Sequence, residues 1–328
     1  MNNKNKWQLC VAPMLGITDV HYRFFLRLLS KNTRLYTEML HVNAVLNTNK
    51  IIKDFDFCPS QHPVALQLGG NNASMMYKAA KIIEKIGFDE INLNCGCPSY
   101  KVQHGLFGAI LMKHTSVITD CIKSMMDAVN YIPITIKHRI GLDHNYSYDY
   151  LCDFVGKIYD TGCRIFIVHA RNAILDKMSP KENRKIPPLN YCFVYKLKRD
   201  FPNATIVLNG GLNNVEQSIL ELSKLDGIML GRAVVNNPRI ISNIAKYIWE
   251  EDKLKSDIEV IQIMTEYMKR EYYKTYNIKP IAKVLSKFIS GIPGSKIWRK
   301  NLTNCSSHDY MVALDSWNEL FEINKFIH

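Results

Sequence analysis

Eight short β-rich runs recur along the chain at wide intervals: LCVAPM (9–14), RLYTEM (34–39), VALQLG (64–69), EINLNC (90–95), ITIKHRI (134–140), IFIVHA (165–170), TIVLNG (205–210) and GIMLGR (227–232). Segments with helical apolar spacing, such as ASMMYKAAKIIEKIG and YDYLCDFVGKIYDTG, lie between most of them. Strands that are nearly continuously apolar belong to a parallel sheet covered on both faces, and parallel strands need crossover helices. Eight such units predict an α/β protein with a (β/α)8 TIM barrel. A doubly wound sheet is the other arrangement this pattern allows. After Asn243 the strand pattern stops, and IEVIQIMTEYMKREYYKTY, PIAKVLSKFIS and MVALDSWNELFEINKF read as helices. The expected organisation is therefore a barrel domain over 1–243 and an all-helical domain over 244–328.

A barrel of this kind puts its site where the strands end. The runs end on Pro13 and Met14, Glu38, Gln67, Asn94 with Cys97, Lys137 and Arg139, His169 and Arg171, Asn209 with Gly210 and Gly211, and Gly231 with Arg232. Any one of these could be an ordinary strand cap. Buried apolar strands do not need polar residues at every end, so the set points to one shared site. The last two ends carry LNGG and LGRA, in the loops where such barrels often bind phosphate through backbone N–H groups. No GxGxxG and no Walker A sequence is present, so these loops do not read as a dinucleotide or P-loop site.

Two cysteines stand one residue apart in INLNCGCPS. Zinc would need about four ligands, and no second CxC or CxxC supplies them, so no metal is expected. A disulfide between residues i and i+2 is strained. Cys95 falls within the strand and reads as packing. Cys97 precedes Pro98, in the turn over the barrel mouth, where a thiol that stays largely protonated at neutral pH can deliver a proton. A nucleophilic role would want a positioned base, and none is evident nearby.

Composition narrows the partners. Of 328 residues, 47% are hydrophobic and 22% charged, as in an ordinary globular chain. The nine cysteines are scattered and odd in number, and MNNKNKWQLC contains no secretory apolar core, so a reducing, cytoplasmic setting is expected. No run approaches the ~18 apolar residues of a membrane span. The net charge of +12 is compatible with a polyanionic partner. Between Tyr272 and Asn304 stand seven basic residues and no acidic one: Lys274, Lys279, Lys283, Lys287, Lys296, Arg299 and Lys300. Lys279, Lys283 and Lys287, spaced by four, would share one helix face.

The motifs APML, LQLGG, INLNCGCPS with GxFGAxLM, IKxRIG, VHAR, LNGG and GRA occur in this order between Val11 and Ala233. Together they resemble the tRNA-dihydrouridine synthase family, and MSPKENRKIPPLNY and GIPGSKIWRKNL resemble its DusA-like branch in particular. The resemblance runs to about Leu302. It implies a flavoenzyme that binds FMN across the barrel mouth, takes electrons from NADPH, passes hydride from flavin N5 to C6 of a tRNA uracil, and protonates C5 from a cysteine. The uridines implied are D-loop positions 20 and 20a. Carried onto this chain, Cys97 is the proton donor and Asn94 holds flavin or uridine. Pro13, Met14 and Leu15 back the flavin ring, and Gln67 and Lys137 meet its polar edge. His169, Asn209, Gly210, Gly211, Gly231 and Arg232 hold the ribityl chain and phosphate. Lys181, Arg184, Lys296 and Arg299 match positions the branch uses on tRNA. The chain is expected to act as a monomer. It departs from the family pattern at Gly16, where Asp is more usual, and at His138, where Thr is common. Two other classes share parts of the pattern: an FMN barrel oxidoreductase acting on a small molecule, and a tRNA-binding protein without activity. The first would not need the acid-free basic segment, and the second would not need Cys97 and Lys137.

Overall fold

A computed structural model describes residues 6–47, 59–176, 178–250 and 254–324. All eight expected strands are present: β1 Leu9–Val11, β2 Arg34–His41, β3 Val64–Gly69, β4 Glu90–Cys95, β5 Ile134–Arg139, β6 Ile165–His169, β7 Thr205–Asn209 and β8 Gly227–Leu230. Each pairs in parallel with the next, and β8 pairs with β1 to close the barrel. Helices intervene between the strands, so the (β/α)8 expectation holds and the open doubly wound sheet is excluded. β1 is shorter than its sequence run, stopping at Val11 before the turn that begins at Met14.

Helix Ala73–Ile86 shows why the intervening segments fold as they do. Met76, Ala79, Ala80 and Ile83 are buried at i, i+3, i+4 and i+7, one apolar stripe against the barrel. Burying a side chain the size of Met76 or Ile83 contributes about 1.5–3 kcal/mol. The Asn72 side chain accepts from the Met75 N–H at 3.0 Å to start the helix, and Gly87 ends it in the left-handed region at φ 101°.

Strand side chains alternate between the barrel interior and the helix layer. Cys10, Ala12, Tyr36, Ala65, Ile167, Val207 and Met229 form an apolar interior cluster. Along β4 the same alternation sends Glu90, Asn92 and Asn94 inward and leaves Ile91, Leu93 and Cys95 to the helix side; all six are buried. The barrel interior is therefore polar along β3, β4 and β5, an arrangement that requires every polar group to find a partner.

The chain divides into two compact units: residues through Thr18 with Thr33–Gly231, and Asp19–Asn32 with residues from Arg232 onward. The second unit is helical throughout its described secondary structure, with helices Val20–Leu29, Arg232–Asn236, Arg239–Trp249, Asp257–Thr275, Lys279–Leu285, Ser295–Asn304 and Val312–Asn324. The helix that follows β1 in sequence thus packs within this unit. Phe24 stacks on Tyr267 with ring centroids 4.1 Å apart, Phe25 meets Phe288 edge-on, and the Ser242 hydroxyl donates to the Leu29 carbonyl at 2.9 Å. No described helix is long and apolar enough to cross a membrane.

Candidate active site

The Cys97 turn is built by Asn94. The Asn94 Oδ1 accepts from the backbone N–H groups of Gly96 at 3.1 Å and Cys97 at 3.0 Å, folding the chain back over the strand end. The Ala109 N–H donates to the Cys97 carbonyl at 2.9 Å. Gly108 closes the floor at φ +75°: a Cβ there would lie 2.4 Å from Val102 Cγ1 and 2.7 Å from the Cys97 carbonyl oxygen. The glycine of the FGA sequence is thus required by both backbone conformation and space. Cys97 itself is half-buried. Cys95 is fully buried on the helix side of β4, and burial holds its thiol far above the usual range, as for a packing residue.

Below the turn a chain of buried side chains descends through the barrel. Asn94 Nδ2 donates to Gln67 Oε1, Gln67 Nε2 to Asn92 Oδ1, and Asn92 Nδ2 to Thr135 Oγ1, each at 2.8 Å. The Thr135 hydroxyl donates to Glu90 Oε1 at 2.5 Å. Glu90 also accepts from the Tyr36 hydroxyl at 2.8 Å, Trp7 Nε1 at 2.8 Å and Arg34 Nη1 at 3.1 Å. Arg34 and Glu90 are both buried, and Trp7 covers the guanidinium at 4.9 Å. The pairing of Gln67 with Asn92, Asn92 with Thr135 and Asn94 with Lys137 follows from the strand register.

Lys137 and Asn209 meet across the mouth. The Lys137 ammonium donates to Asn209 Oδ1 at 2.9 Å, and Asn209 Nδ2 donates to the Met229 carbonyl at 2.8 Å. Desolvation pushes the Lys137 amine down to about 7, reinforced by Arg139 and opposed by Cys97. A cation in that condition gains from any anion placed beside it. His169 ends β6 level with Asn209. Gly210 and Gly211 follow at φ +107° and +79°; a Cβ at Gly210 would lie 2.6 Å from His169 Cδ2, and one at Gly211 2.4 Å from Leu189 Cδ1. The Tyr191 hydroxyl donates to the Gly210 carbonyl at 2.6 Å. Gly231 sits where a Cβ would reach Ala12 and the Met14 sulfur at ordinary van der Waals distance, and Arg232 opens the next helix.

On the other side of the mouth, Pro13 and Met14 are half-buried and Leu15 is 82% exposed. The loop is held by Met14 and Thr18, whose backbone and hydroxyl groups bond reciprocally, and by the Gly16 N–H donating to the Glu38 carboxylate. Gly16 stands at φ +72° with open space around it, a conformation that glycine adopts without strain. His138, the second departure, faces away from the mouth. It packs between Phe154 and Phe166 at 5.2 and 6.2 Å, its Nδ1 reaches the Arg139 carbonyl at 2.7 Å, and burial pushes it down to about 4. It is a neutral core histidine.

Arg139 reads from the sequence as a strand end without a role of its own. The structure makes it a buried tie: Nε donates to the Gly96 carbonyl at 3.1 Å, and Nη1 to the carbonyls of Asn183 at 3.0 Å and Asn172 at 3.3 Å. It joins the Cys97 turn to the 172–187 loop. Gln103 makes a parallel tie, from its Nε2 to the Pro98 and Leu175 carbonyls. Within that loop Asn183 is buried and its amide bonds Ile174, Met178 and Ser179, while Ser179 and Glu182 cap each other. Lys181 and Arg184 on either side are exposed. The inward alternation of EINLNC was the available signal for Glu90 and Asn92; no local signal marked Thr135 or Asn183.

In the helical unit, Lys279, Lys283, Lys287, Lys296 and Arg299 are exposed, and none pairs with a described acidic residue. Lys279 and Lys283 lie on helix Lys279–Leu285, but Lys287 falls in the turn beyond it, so the expected three-residue helical row is two residues long. Trp298 is 1% exposed, with Nε1 donating to the Leu285 carbonyl at 3.0 Å; it anchors the helix that displays Lys296 and Arg299. Among the described residues no group of three or more His, Cys, Asp or Glu is placed to hold a metal ion.

Known proteins share this framework. The family model for dihydrouridine synthase (Dus) matches residues 10–322. A protein of Escherichia coli O6:H1 named tRNA-dihydrouridine(20/20a) synthase is 44% identical over 300 residues, covering 90% of this chain and 89% of that protein. Proteins of the same name from Synechocystis and Pseudomonas aeruginosa are each 43% identical, covering 90% and 89% of this chain and 88% of their own lengths. The matched span takes in the Cys97 turn, Lys137 and the late glycine loops, and the chain belongs to the dihydrouridine synthase family.

Proposed function

We propose that this protein reduces uridine to 5,6-dihydrouridine in the D-loop of tRNA, at positions 20 and 20a, with FMN as cofactor and NADPH as reductant. The observation that carries the reading is the Cys97 turn: a half-buried cysteine on a backbone turn whose Gly96 and Cys97 N–H groups both donate to Asn94, at the mouth of a barrel that also presents Lys137. The names of the relatives supply the substrate class.

The residues at the mouth fit a phosphorylated flavin. Gly210 and Gly211 leave no room for side chains and bring backbone close, as a phosphate or ribityl chain requires; Asn209 precedes them, His169 lies level with Asn209 on the neighbouring strand, and Gly231 and Arg232 follow β8 in sequence. Lys137 would face the pyrimidine edge of the flavin, with Gln67 beside it and Pro13, Met14 and Leu15 behind the ring. Bound and reduced, FMN supplies the hydride for C6 of the uracil.

The chain's own groups do the rest. Negative charge appearing beside Lys137, lowered to about 7, favours its protonated form. Asn94 holds the Cys97 backbone so that the thiol can give its proton to C5, the general-acid step. A stacked uracil is covered on both faces, so the base must be turned out to reach this pocket. Lys181 and Arg184, carried on the Asn183-pinned loop, and Lys296 and Arg299 on the helical unit offer cations to the tRNA backbone.

The test is nucleoside analysis of tRNA from cells with and without the gene, followed by complementation with Cys97→Ala. Dihydrouridine at 20 and 20a should vanish without the gene. Cys97→Ala should keep NADPH-dependent flavin reduction and lose about 10²–10⁴-fold in dihydrouridine formation. An unchanged nucleoside profile would refute the reading.

A further inference from the structure

We propose that Glu90 is a positioning residue for Cys97: by hydrogen-bond polarity the buried carboxylate determines which end of each amide in the ladder points toward the mouth. The role given to Cys97 rests on the functional reading above; the ordering of the ladder does not.

The polarity is forced step by step. Trp7 Nε1 and Arg34 can only donate, and both reach Glu90 Oε2, at 2.8 and 3.1 Å. The Tyr36 and Thr135 hydroxyls both reach Oε1, at 2.8 and 2.5 Å. Ion-paired with Arg34, the carboxylate can only accept, so both hydroxyls donate to it and Thr135 spends its single proton on Glu90. Thr135 can then only accept from its other neighbour, so Asn92 must turn its Nδ2 toward it, at 2.8 Å. That turns Asn92 Oδ1 to Gln67, whose Nε2 fills it, and turns Gln67 Oε1 up to Asn94 Nδ2, each at 2.8 Å.

The last amide is Asn94. With Nδ2 committed downward, Oδ1 faces the Gly96 and Cys97 N–H groups at 3.1 and 3.0 Å. The opposite polarity would set an NH2 group against two backbone N–H groups, donor against donor, and open the turn. The amides cannot reverse one at a time, because each reversal leaves a donor–donor or acceptor–acceptor clash at the next link. Successive bonds aligned in one direction also polarise one another. Three amides transmit the orientation set at the base of the barrel to the turn that carries the thiol.

The informative variant is Thr135→Val, which matches threonine in shape, removes the hydroxyl link and leaves the Glu90–Arg34 pair intact. Hydrogen exchange of the Gly96 and Cys97 amides, read in the full-length protein, should accelerate about tenfold, and tRNA-dependent reoxidation of the flavin should slow by a similar factor. Thr135→Ser, which restores the donor, should return both to the wild-type rates. Unchanged exchange in Thr135→Val, or a serine variant no better than valine, would overturn the proposal. Should Thr135→Val fail to fold, the wild type decides: Gly96 and Cys97 amides as protected as those of β4 support the ordered ladder, and freely exchanging ones overturn it. A wild type that makes no dihydrouridine would count against the functional reading alone, since the exchange measurement needs no tRNA.

Discussion

Replacing Gly108 by alanine should damage this protein in two separable ways. The residue stands at φ +75°, where an L side chain costs about 1–2 kcal/mol. The added Cβ would also meet Val102 Cγ1 at 2.4 Å and the Cys97 carbonyl oxygen at 2.7 Å. Overpacking of that kind costs about 1–3 kcal/mol. The sum, roughly 2–5 kcal/mol, is a large part of the 5–15 kcal/mol that holds a typical protein folded. Val102 can turn its methyl aside, but the Cys97 carbonyl is backbone, tied to the Ala109 N–H at 2.9 Å, so relief must shift the Cys97 turn. Gly16→Ala is the internal control, because Gly16 shares a positive φ of +72° but has nothing within 4 Å of the added atom. It should lose only the conformational part. Urea denaturation of both variants should therefore differ by about 1–3 kcal/mol, the steric part alone. Displacing the thiol by a fraction of an ångström to 1 Å should lower dihydrouridine formation by Gly108→Ala by up to about 10²-fold. Equal denaturation midpoints for the two variants, with full turnover in Gly108→Ala, would refute the reasoning.

Other expectations follow from charge. Lys137 titrates near 7 in the folded chain against 10.5 for an ordinary lysine, so between these values the unfolded chain holds a proton the folded chain has released. Stability of protein stripped of flavin should gain from this residue as pH rises from about 7 toward 10.5, and Lys137→Met should abolish that gain in pH-dependent urea melts. His138 titrates near 4 against 6.5, so its contribution falls as pH drops below 6.5; His138→Thr should flatten the acid limb of the stability curve and leave dihydrouridine formation unchanged, because the ring faces Phe154 and Phe166. A Lys283→Ala, Arg299→Ala double variant should bind tRNA more weakly and flatten the slope of log affinity against log salt by about 0.7–0.9 for each phosphate left without its cation. A salt titration matching wild type would mean that these two side chains are only solvated.

The barrel was legible because eight apolar runs, each long enough for one strand, match the eight units of a closed barrel; the open doubly wound alternative fell only when β8 was seen to pair with β1, and the register carries Asn94, Lys137, His169 and Asn209 to one end. Direction along a strand was legible too. Lys137 and His138 are adjacent, so one must face the barrel interior and the other the helix layer, and the His138 departure loses its bearing on the site for that reason alone. The identity of each partner was not legible. Glu90, Asn92 and Asn94 repeat every second residue, which says that they share a face, but Asn92 meets Gln67 and Thr135 only because β3 and β5 lie at one particular stagger beside β4. The same holds at longer range for the helix after β1: its Phe24 and Phe25 fit a barrel-covering stripe equally well, and their packing on Tyr267 and Phe288 depends on segments more than two hundred residues away. Helix ends set the remaining limit. A spacing of four places Lys287 on a face with Lys279 and Lys283 only while the helix continues, and the helix stops at Leu285, with Ser286 as its cap. A buried polar ladder makes the cost of that ignorance largest at the candidate active site, since there one residue of register decides whether an asparagine orients the Cys97 turn or is left without a partner.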